Sequence, residues 1–223
     1  MKKIVLCSVC MQIDFKAVYS AKQKDIYEGS TYDEPVYYPI NAILANTLQK
    51  DDDVKLVFFK TVDETVKNWN ERYQRNYNHF IEELKKINEG IGAKINLDNP
   101  VVIESDFKET KDVFKKRFLD AFEVLEEDAE IYADLTFGSR IGSMIIMDVL
   151  KFAEKFFNAD INYVLYGQTS YDENPETGKN EPKDGVVYDI SSLYYINNLT
   201  NILKADSGKE AIQAFKEFLT DEN

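Results

Sequence analysis

Short apolar runs alternate with longer helical patterns along almost the whole chain. The first run, from Lys3 to Val9, is nearly continuous in Ile, Val and Leu, which is typical of a strand buried on both faces of a parallel sheet. The segments between such runs carry apolar residues at helical spacing, as Ile40, Ile43 and Leu44 do. This alternation indicates parallel strands joined by helical crossovers, and it limits the chain to a sheet covered by helices.

The boundaries of these elements follow from periodicity and turn residues. The predicted strands are 3–9, 54–60, 101–104, 130–135, 161–166 and 185–190. The predicted helices are 39–49, 63–88, 110–125, 141–157 and 193–219, with a break in the last near 206–208. Asn, Pro, Gly and Glu are frequent in 170–184, which predicts a loop between two antiparallel strands. The expected fold class is α/β: a Rossmann-like, doubly wound, mainly parallel sheet with a C-terminal antiparallel hairpin and a closing helix.

Length and composition favour one domain. With 223 residues and 44% hydrophobic content, the chain can bury a sizeable core. No internal repeat and no linker separates two domains, so we expect a single domain over 1–223, with a core of 1–192 and a helical tail of 193–223. The long polar connection 12–38 is expected to be functional, because structureless loops of this length are uncommon in compact domains.

The net charge of −13 limits the partners. Proteins bind extended polyanions by neutralising many phosphates, so this charge argues against duplex nucleic acid. It does not exclude a compact ligand with few phosphates, because backbone N–H groups and one Arg act locally. The N-terminus lacks the pattern of a signal peptide, and no stretch approaches the roughly 20 apolar residues of a membrane span. We therefore expect a cytoplasmic protein with no membrane partner.

The sequence also argues against metals and common cofactors. Cys7 and Cys10 are the only cysteines and His79 is the only histidine, so too few ligands lie together for a zinc site. Cys7 belongs to the strand pattern, whereas a redox pair is expected at a helix N-terminus. The glycines of a dinucleotide-binding turn are absent after the first strand, and no Walker-type lysine follows a glycine run. We expect no cofactor and no metal.

The segment from Asp134 to Arg140, DLTFGSR, carries the chemistry. It joins a predicted strand to a predicted helix, where open α/β sheets bind ligands. Gly138 lets the backbone approach a phosphate, Thr136 and Ser139 add hydroxyl donors, and Arg140 adds a planar cation. These features predict a phosphate-binding turn. Thr or Ser before a helix is also an ordinary N-cap, with Arg140 then on the solvated surface, and the sequence leaves both interpretations open.

The same segment resembles the D-x-T-x-G-x-R signature of CRISPR-associated Rossmann-fold (CARF) domain proteins of type III CRISPR systems. Three further features agree with this resemblance: the N-terminal strand, the helix start Tyr38-Pro39-Ile40-Asn41-Ala42, and the strand end Tyr166-Gly167 before a hairpin leading to Val187-Tyr188-Asp189-Ile190. The resemblance covers nearly the whole chain and makes 1–223 a CARF-like domain.

The resemblance implies a sensor in antiviral defence that binds a cyclic oligoadenylate second messenger across the two-fold axis of a homodimer. Cyclic tetra-adenylate is expected more than cyclic hexa-adenylate. The ligand-binding residues expected from the resemblance and from the chemistry of the turn are Ser8, Gln12, Thr136, Phe137, Gly138, Ser139 and Arg140.

Family members usually carry an effector, often a HEPN ribonuclease with an R-x-x-x-x-H motif. Arg75 and His79 are one residue too close for that motif and lie in an early helix, so we interpret His79 as a helix-surface residue. We expect a sensor module whose effector is a fused or separate domain not present in these residues.

Two other functions are alternatives to the sensor. A ring nuclease would cleave the ligand in the same pocket without metal, by attack of a ribose 2′-hydroxyl on the adjacent phosphate. Ser8, Thr136, Ser139 and Arg140 would align and stabilise this reaction, but no general base is evident, so the catalytic residue is unknown. A transcription regulator needs a basic recognition helix, whereas the tail offers only Lys204, Lys209 and Lys216.

The helix after the turn is more apolar than one buried face requires. Met144, Ile145 and Met147 are therefore expected to supply part of a dimer contact, which would place the turn twice around one axis. The alternative is a helix buried on all sides within one chain.

Overall fold

A computed structural model describes residues 1–11, 17, 19–21, 32–178 and 180–220. In this part of the chain, eight strands form one sheet and six helices accompany it. The strands are β1 (Lys2–Ser8), β2 (Tyr19–Ala21), β3 (Asp53–Val62), β4 (Lys94–Ile95), β5 (Val101–Asp106), β6 (Glu130–Asp134), β7 (Asp160–Glu173) and β8 (Asn180–Asp189). The helices are α1 (Pro39–Thr47), α2 (Trp69–Ile91), α3 (Lys111–Phe122), α4 (Arg140–Phe156), α5 (Ser191–Ile202) and α6 (Gly208–Thr220).

The strand order is β2-β8-β7-β6-β1-β3-β4, and β5 pairs with β3 further along the same edge. All pairs are parallel except β7 with β8. After β2, which pairs with β8 at the far edge, the chain enters β3 beside β1 and continues to β4 and β5. It then returns to the other side of β1 at β6. This reversal is the hallmark of a doubly wound sheet, and it confirms the predicted fold class.

Helices cover both faces of this sheet. α1 packs against α2, and α3 packs against α4. The helices α1 and α2 precede and follow β3 on one side of β1, whereas α3 and α4 precede and follow β6 on the other side. Right-handed connections that run in opposite directions along the sheet place the two pairs on opposite faces. Val5 shares one core cluster with Ile40 of α1 and Phe80 of α2, whereas the alternating Ile4 and Leu6 are buried outside that cluster. The apolar run of β1 is therefore explained by burial on both faces.

The hairpin was predicted too short. Residues 170–184 were expected to form a loop, but β7 continues to Glu173 and β8 begins at Asn180. The polar composition predicted a loop because the side chains on both faces of this extension are mostly exposed. The backbone N–H and C=O groups of the two strands nevertheless pair across the hairpin. The register of the hairpin shifts between Ser170 and Tyr171, where Tyr171 pairs with Pro182. Proline has no backbone N–H to donate, and strands tolerate it at such irregular positions.

The start of α2 was also predicted wrongly. A helix from Asp63 was expected, but α2 begins at Trp69. Asp63 accepts hydrogen bonds from the backbone N–H and the hydroxyl of Thr65, at 3.0 and 2.6 Å, and this local turn competes with a helix. Asn68 then takes a left-handed conformation before the helix starts. At the other end, Gly92 terminates α2 with φ +79°, as its place after the apolar pattern predicts.

The chain divides into two units, Met1–Ser191 and Ser192–Asn223. The first holds the sheet and α1 to α4. The second holds α6 and all but the first residue of α5, and the break between these helices falls where the sequence predicts it. No helix in the described ranges is long and apolar enough to cross a membrane.

Candidate ligand pocket

The turn between β6 and α4 lies at the reversal point of the sheet. β6 ends at Asp134 and α4 begins at Arg140, so 135–139 emerge at the carboxyl edge of the strands. β1 is the immediate neighbour, with Leu6 opposite Ala133, and it ends at the same edge. The strand order reverses between β1 and β6, and such a reversal opens a crevice where doubly wound sheets bind their ligands.

Asp134 anchors this turn from inside the protein. Its side chain is buried, and its carboxylate accepts a hydrogen bond from the backbone N–H of Thr136 at 2.8 Å. Desolvation raises the pKa of Asp134 to about 6, against hydrogen bonds from Thr136 and from the backbone of Ile40, which favour the carboxylate. The carboxyl group of Asp134 thus bonds within the protein and fixes the turn.

Thr136 links the turn to the neighbouring strand. Its hydroxyl oxygen accepts a hydrogen bond from the backbone N–H of Gly167 in β7, at 2.7 Å. A Cβ atom at Gly167 would lie 2.4 Å from Pro39, so α1, β7 and the turn meet closely at this glycine. Thr136 lines the pocket described below, although its hydroxyl already serves the fold.

Ser139 is the N-cap of α4, as one of the two open interpretations predicts. Its hydroxyl oxygen accepts a hydrogen bond from the backbone N–H of Gly142 at 2.9 Å. The N–H groups of Arg140 and Ile141 have no partner among the described residues. These free donors at the positive end of a 17-residue helix are suited to an anion, so the cap does not exclude phosphate binding.

Arg140 is exposed in the first turn of α4. No ion pair or hydrogen bond engages its guanidinium within the described part of the chain. An unpaired arginine beside free backbone donors is unusual in a chain whose net charge is −13, because carboxylates are abundant. Its guanidinium is available for a ligand.

Gly138 packs directly on the end of β1. Its φ of +98° disfavours side chains, and an added Cβ would lie 2.6 Å from the Ser8 hydroxyl oxygen. Ser8 is buried beneath the turn and supports it, rather than lining the open pocket. Gln12, the other residue expected from the end of this strand, lies outside the described residues.

A pocket of about 350 Å³ opens beside the turn. Its size is within the range of small-molecule sites. The turn forms one wall, and the ends of β1 and β3 form the floor. The described lining residues are Val9, Cys10, Met11, Phe59, Lys60, Thr61, Trp69, Tyr73, Phe107, Thr136, Phe137, Gly138 and Ser139.

Aromatic residues dominate the wall opposite the turn. Trp69, at the start of α2, is held by a hydrogen bond from its indole N–H to the carbonyl oxygen of Thr61, at 2.8 Å. Phe107, after β5, is 54% exposed and lies at the rim. Phe137 projects from the turn and makes an edge contact with Tyr38, with ring centroids 5.4 Å apart. The faces of aromatic rings such as these stack on planar ligands.

Lys60 is the only charged side chain in the described lining of the pocket. The described part of the lining contains no histidine and no carboxylate, the side chains that most often act as general bases. Lys60, Trp69 and Phe107 were missed as site residues in the sequence, where Trp69 was read only as part of the helical apolar pattern. The rule that parallel strands end at one edge could have identified Lys60, because it closes the predicted second strand.

A larger cavity of about 510 Å³ lies at the opposite, amino-terminal edge of the sheet. Two of its lysines are engaged in ion pairs with short distances: Lys3 pairs with Asp52 at 2.8 Å, and Lys55 pairs with Glu126. Parallel α/β sheets bind ligands at their carboxyl edge, whereas this cavity lies at the amino-terminal edge. A third cavity, of about 690 Å³, lies beside the ends of β3 and β5, and its described lining comes from 62–65, 104–108, Val113 and Lys116. None of these residues belongs to the turn 135–139, so we place the candidate site at the pocket of about 350 Å³ that the turn lines.

Cys10 is among the described lining residues of the candidate pocket, whereas Cys7 and His79 are not. Cys7 is buried in β1, and burial raises the pKa of its thiol well above the usual value. His79 is half-buried in α2, and its ring stacks on Tyr37 with centroids 4.2 Å apart. No group of metal-ligating side chains forms among the residues that the structure describes.

The fold and the pocket define a Rossmann-like α/β protein with a candidate ligand pocket at its switch point. The chain matches no protein-family model, and a comparison with curated proteins found no relative.

Proposed function

We propose that this chain is a sensor that binds a cyclic oligoadenylate, with cyclic tetra-adenylate preferred over cyclic hexa-adenylate. The observation that carries the proposal is the turn 136–140. It presents an unpaired Arg140 and the free N–H groups of a helix N-terminus beside an aromatic pocket.

The two halves of a nucleotide match the two halves of the site. Each phosphodiester of the ring is a compact monoanion that accepts hydrogen bonds from backbone N–H groups and a guanidinium. An adenine base is planar and stacks on aromatic rings such as those of Trp69 and Phe107. The pocket, at about 350 Å³, holds roughly one nucleotide, so a ring of four needs more than one pocket.

A homodimer supplies the second pocket in this proposal. A cyclic ligand with rotational symmetry is contacted by the same residues from each chain across a two-fold axis. Such a sensor belongs to type III CRISPR defence in the cytoplasm, and it controls an effector domain that is fused or separate. The proposal rests on the resemblance of the turn to the CARF signature together with the free donors at this site.

The alternative of a ring nuclease receives less support. In-line attack by a ribose hydroxyl requires a group that accepts its proton. Neither a carboxylate nor an imidazole lines the described part of the pocket, and the hydroxyls of Thr136 and Ser139 are already engaged as hydrogen-bond acceptors. We therefore propose binding without cleavage.

Thermal unfolding in the presence of ligand tests the proposal. A ligand at 100 times its Kd stabilises the folded state by about 2.7 kcal/mol. For a chain of this size, that should raise the Tm by roughly 5–10 °C. Cyclic tetra-adenylate should produce this shift, whereas linear tetra-adenylate at the same concentration should produce a much smaller one. Equal shifts with both ligands would contradict recognition of the ring.

Replacing Arg140 with alanine should weaken ligand binding by tenfold or more. The variant loses a hydrogen bond between charged groups, which contributes about 1.5–3 kcal/mol. Because Arg140 is exposed and unpaired, thermal stability without ligand should be unchanged. Lys155→Ala removes an exposed cation from the far end of the same helix and is the matched control. Similar losses in both variants would indicate only a general charge effect.

The dimer is tested by light scattering, which should give twice the 25.8 kDa mass of the chain. Ile145 is buried within the chain, so it does not contribute to a contact with a second copy as the sequence suggested. Met144 is 66% exposed on the same helix and remains available. Met144→Glu should therefore favour the monomer, whereas Leu119→Glu on the exposed side of α3 should not. A monomer that stays monomeric with ligand would contradict the shared site.

A further inference from the structure

The pocket wall contains one cation that the turn does not provide. Lys60 lies near the end of β3, and its side chain is only 16% exposed. Its ammonium lies 4.8 Å from the centre of the Tyr73 ring, which holds the side chain against the aromatic wall. No other charged side chain lines the described pocket, in a chain with 40 acidic and 27 basic residues.

The ammonium of Lys60 is paired with a carboxylate. Its ammonium donates a hydrogen bond to Glu104 of β5 at 2.7 Å. Glu104 is paired with Lys60 in the register of the sheet, and its side chain is 58% exposed. Glu104 does not line the pocket that Lys60 lines. The ion pair thus joins a half-buried cation at the pocket wall to a largely exposed carboxylate outside that wall.

We infer that Lys60 is a second anion contact of the pocket, and that Glu104 competes with the ligand for it. This inference rests on the proposed function, since the anion is taken to be a phosphate of the bound nucleotide. An incoming phosphate accepts hydrogen bonds from the ammonium while Glu104, which is largely hydrated, turns to solvent. Because an exposed carboxylate is held weakly by one ion pair, the exchange requires little free energy. Glu104 thereby lowers the affinity for the ligand and for unrelated anions.

Four variants test this inference by isothermal titration with cyclic tetra-adenylate at 0.15 M salt. Lys60→Met keeps the aliphatic packing on Tyr73 and should weaken binding about tenfold or more. Glu104→Gln should tighten binding about two- to fivefold. In the double variant the gain from Glu104→Gln should vanish, because its effect acts through Lys60. Asp172→Asn, which breaks the exposed Lys183 pair of the hairpin at 3.0 Å, is the control and should leave affinity unchanged.

Failure of this inference differs from failure of the proposed function. If the wild type binds cyclic tetra-adenylate but Lys60→Met binds equally well, the role of Lys60 is wrong and the sensor proposal stands. If Glu104→Gln tightens binding as much in the Lys60→Met variant as in the wild type, the claim that Glu104 competes with the ligand through Lys60 is wrong.

A second probe covers the case in which no cyclic ligand binds. The same variants are titrated with fluorescent N-methylanthraniloyl-AMP, which needs only one pocket. Binding of this mononucleotide that depends on Lys60 would support the anion contact while overturning the cyclic-ligand sensor. If neither probe binds the wild type, both the inference and the proposed function are overturned.

Discussion

Replacing Gly138 with alanine should destabilise the protein by roughly 2–5 kcal/mol and abolish tight ligand binding. A φ of +98° costs an L-residue about 1–2 kcal/mol, and forcing an extra carbon into a filled space costs about 1–3 kcal/mol more. The new Cβ would lie 2.6 Å from the Ser8 hydroxyl oxygen and 2.8 Å from the Ser8 Cβ. Because the second atom is fixed by the backbone of β1, the turn itself must move. Chemical denaturation measures the loss in stability.

Gly178 supplies the matched control for this substitution. It also has a positive φ, +64°, but its nearest neighbour would be 4.0 Å from an added Cβ. Gly178→Ala therefore reports backbone strain alone, and its cost should be clearly smaller than that of Gly138→Ala. The double variant Ser8→Gly/Gly138→Ala removes the contact and should show a coupling energy in a mutant cycle. Equal costs at the two glycines would show that the turn does not pack on β1 as described.

The second large effect concerns the buried carboxyl group of Asp134. Its pKa is about 6 in the folded protein and near 3.8 when unfolded, so the folded state binds the proton more tightly. The contribution of this group to stability is therefore present in full below about pH 3.8 and is lost as the pH rises through 6. Relative to Asp134→Asn, the wild type should lose about 2–3 kcal/mol of unfolding free energy between pH 4 and pH 7.5.

Differences between proteins, rather than absolute curves, measure this effect. Other carboxylates also titrate in this range, and subtracting the variant removes their contribution. Asp160→Asn, at the exposed start of β7, controls for the loss of one carboxylate from the sheet. A pH-independent difference between wild type and Asp134→Asn would mean that the Asp134 carboxyl is not desolvated at this turn.

The fold was predictable because its main signal is local. The continuous apolar run of β1 and the helical spacing in α1 and α4 each report burial directly in sequence. The extension of the hairpin was not predictable from composition, because the strands beyond Ser170 pair through backbone groups while their side chains remain mostly polar and exposed. The start of α2 depended on hydrogen bonds of Asp63 that compete with helix formation.

The candidate site was predictable only in part, for a related reason. The turn 136–140 is contiguous, so its glycine, hydroxyls and arginine are visible together in sequence. Its two interpretations were not alternatives: Ser139 caps α4, and the free donors and Arg140 remain beside the cap. The facing wall comes from three separate elements, and only the folded sheet brings Lys60, Trp69 and Phe107 to one pocket.

Isothermal titration of the wild-type protein with cyclic tetra-adenylate tests the central claim most directly. It reports the affinity and the number of rings bound per chain in one measurement. We expect saturable binding at micromolar protein or below, with one ring for every two chains and a roughly tenfold or greater loss in Arg140→Ala. If neither cyclic tetra-adenylate nor cyclic hexa-adenylate binds at micromolar protein, the turn at 136–140 is an ordinary helix cap and the sensor proposal is wrong.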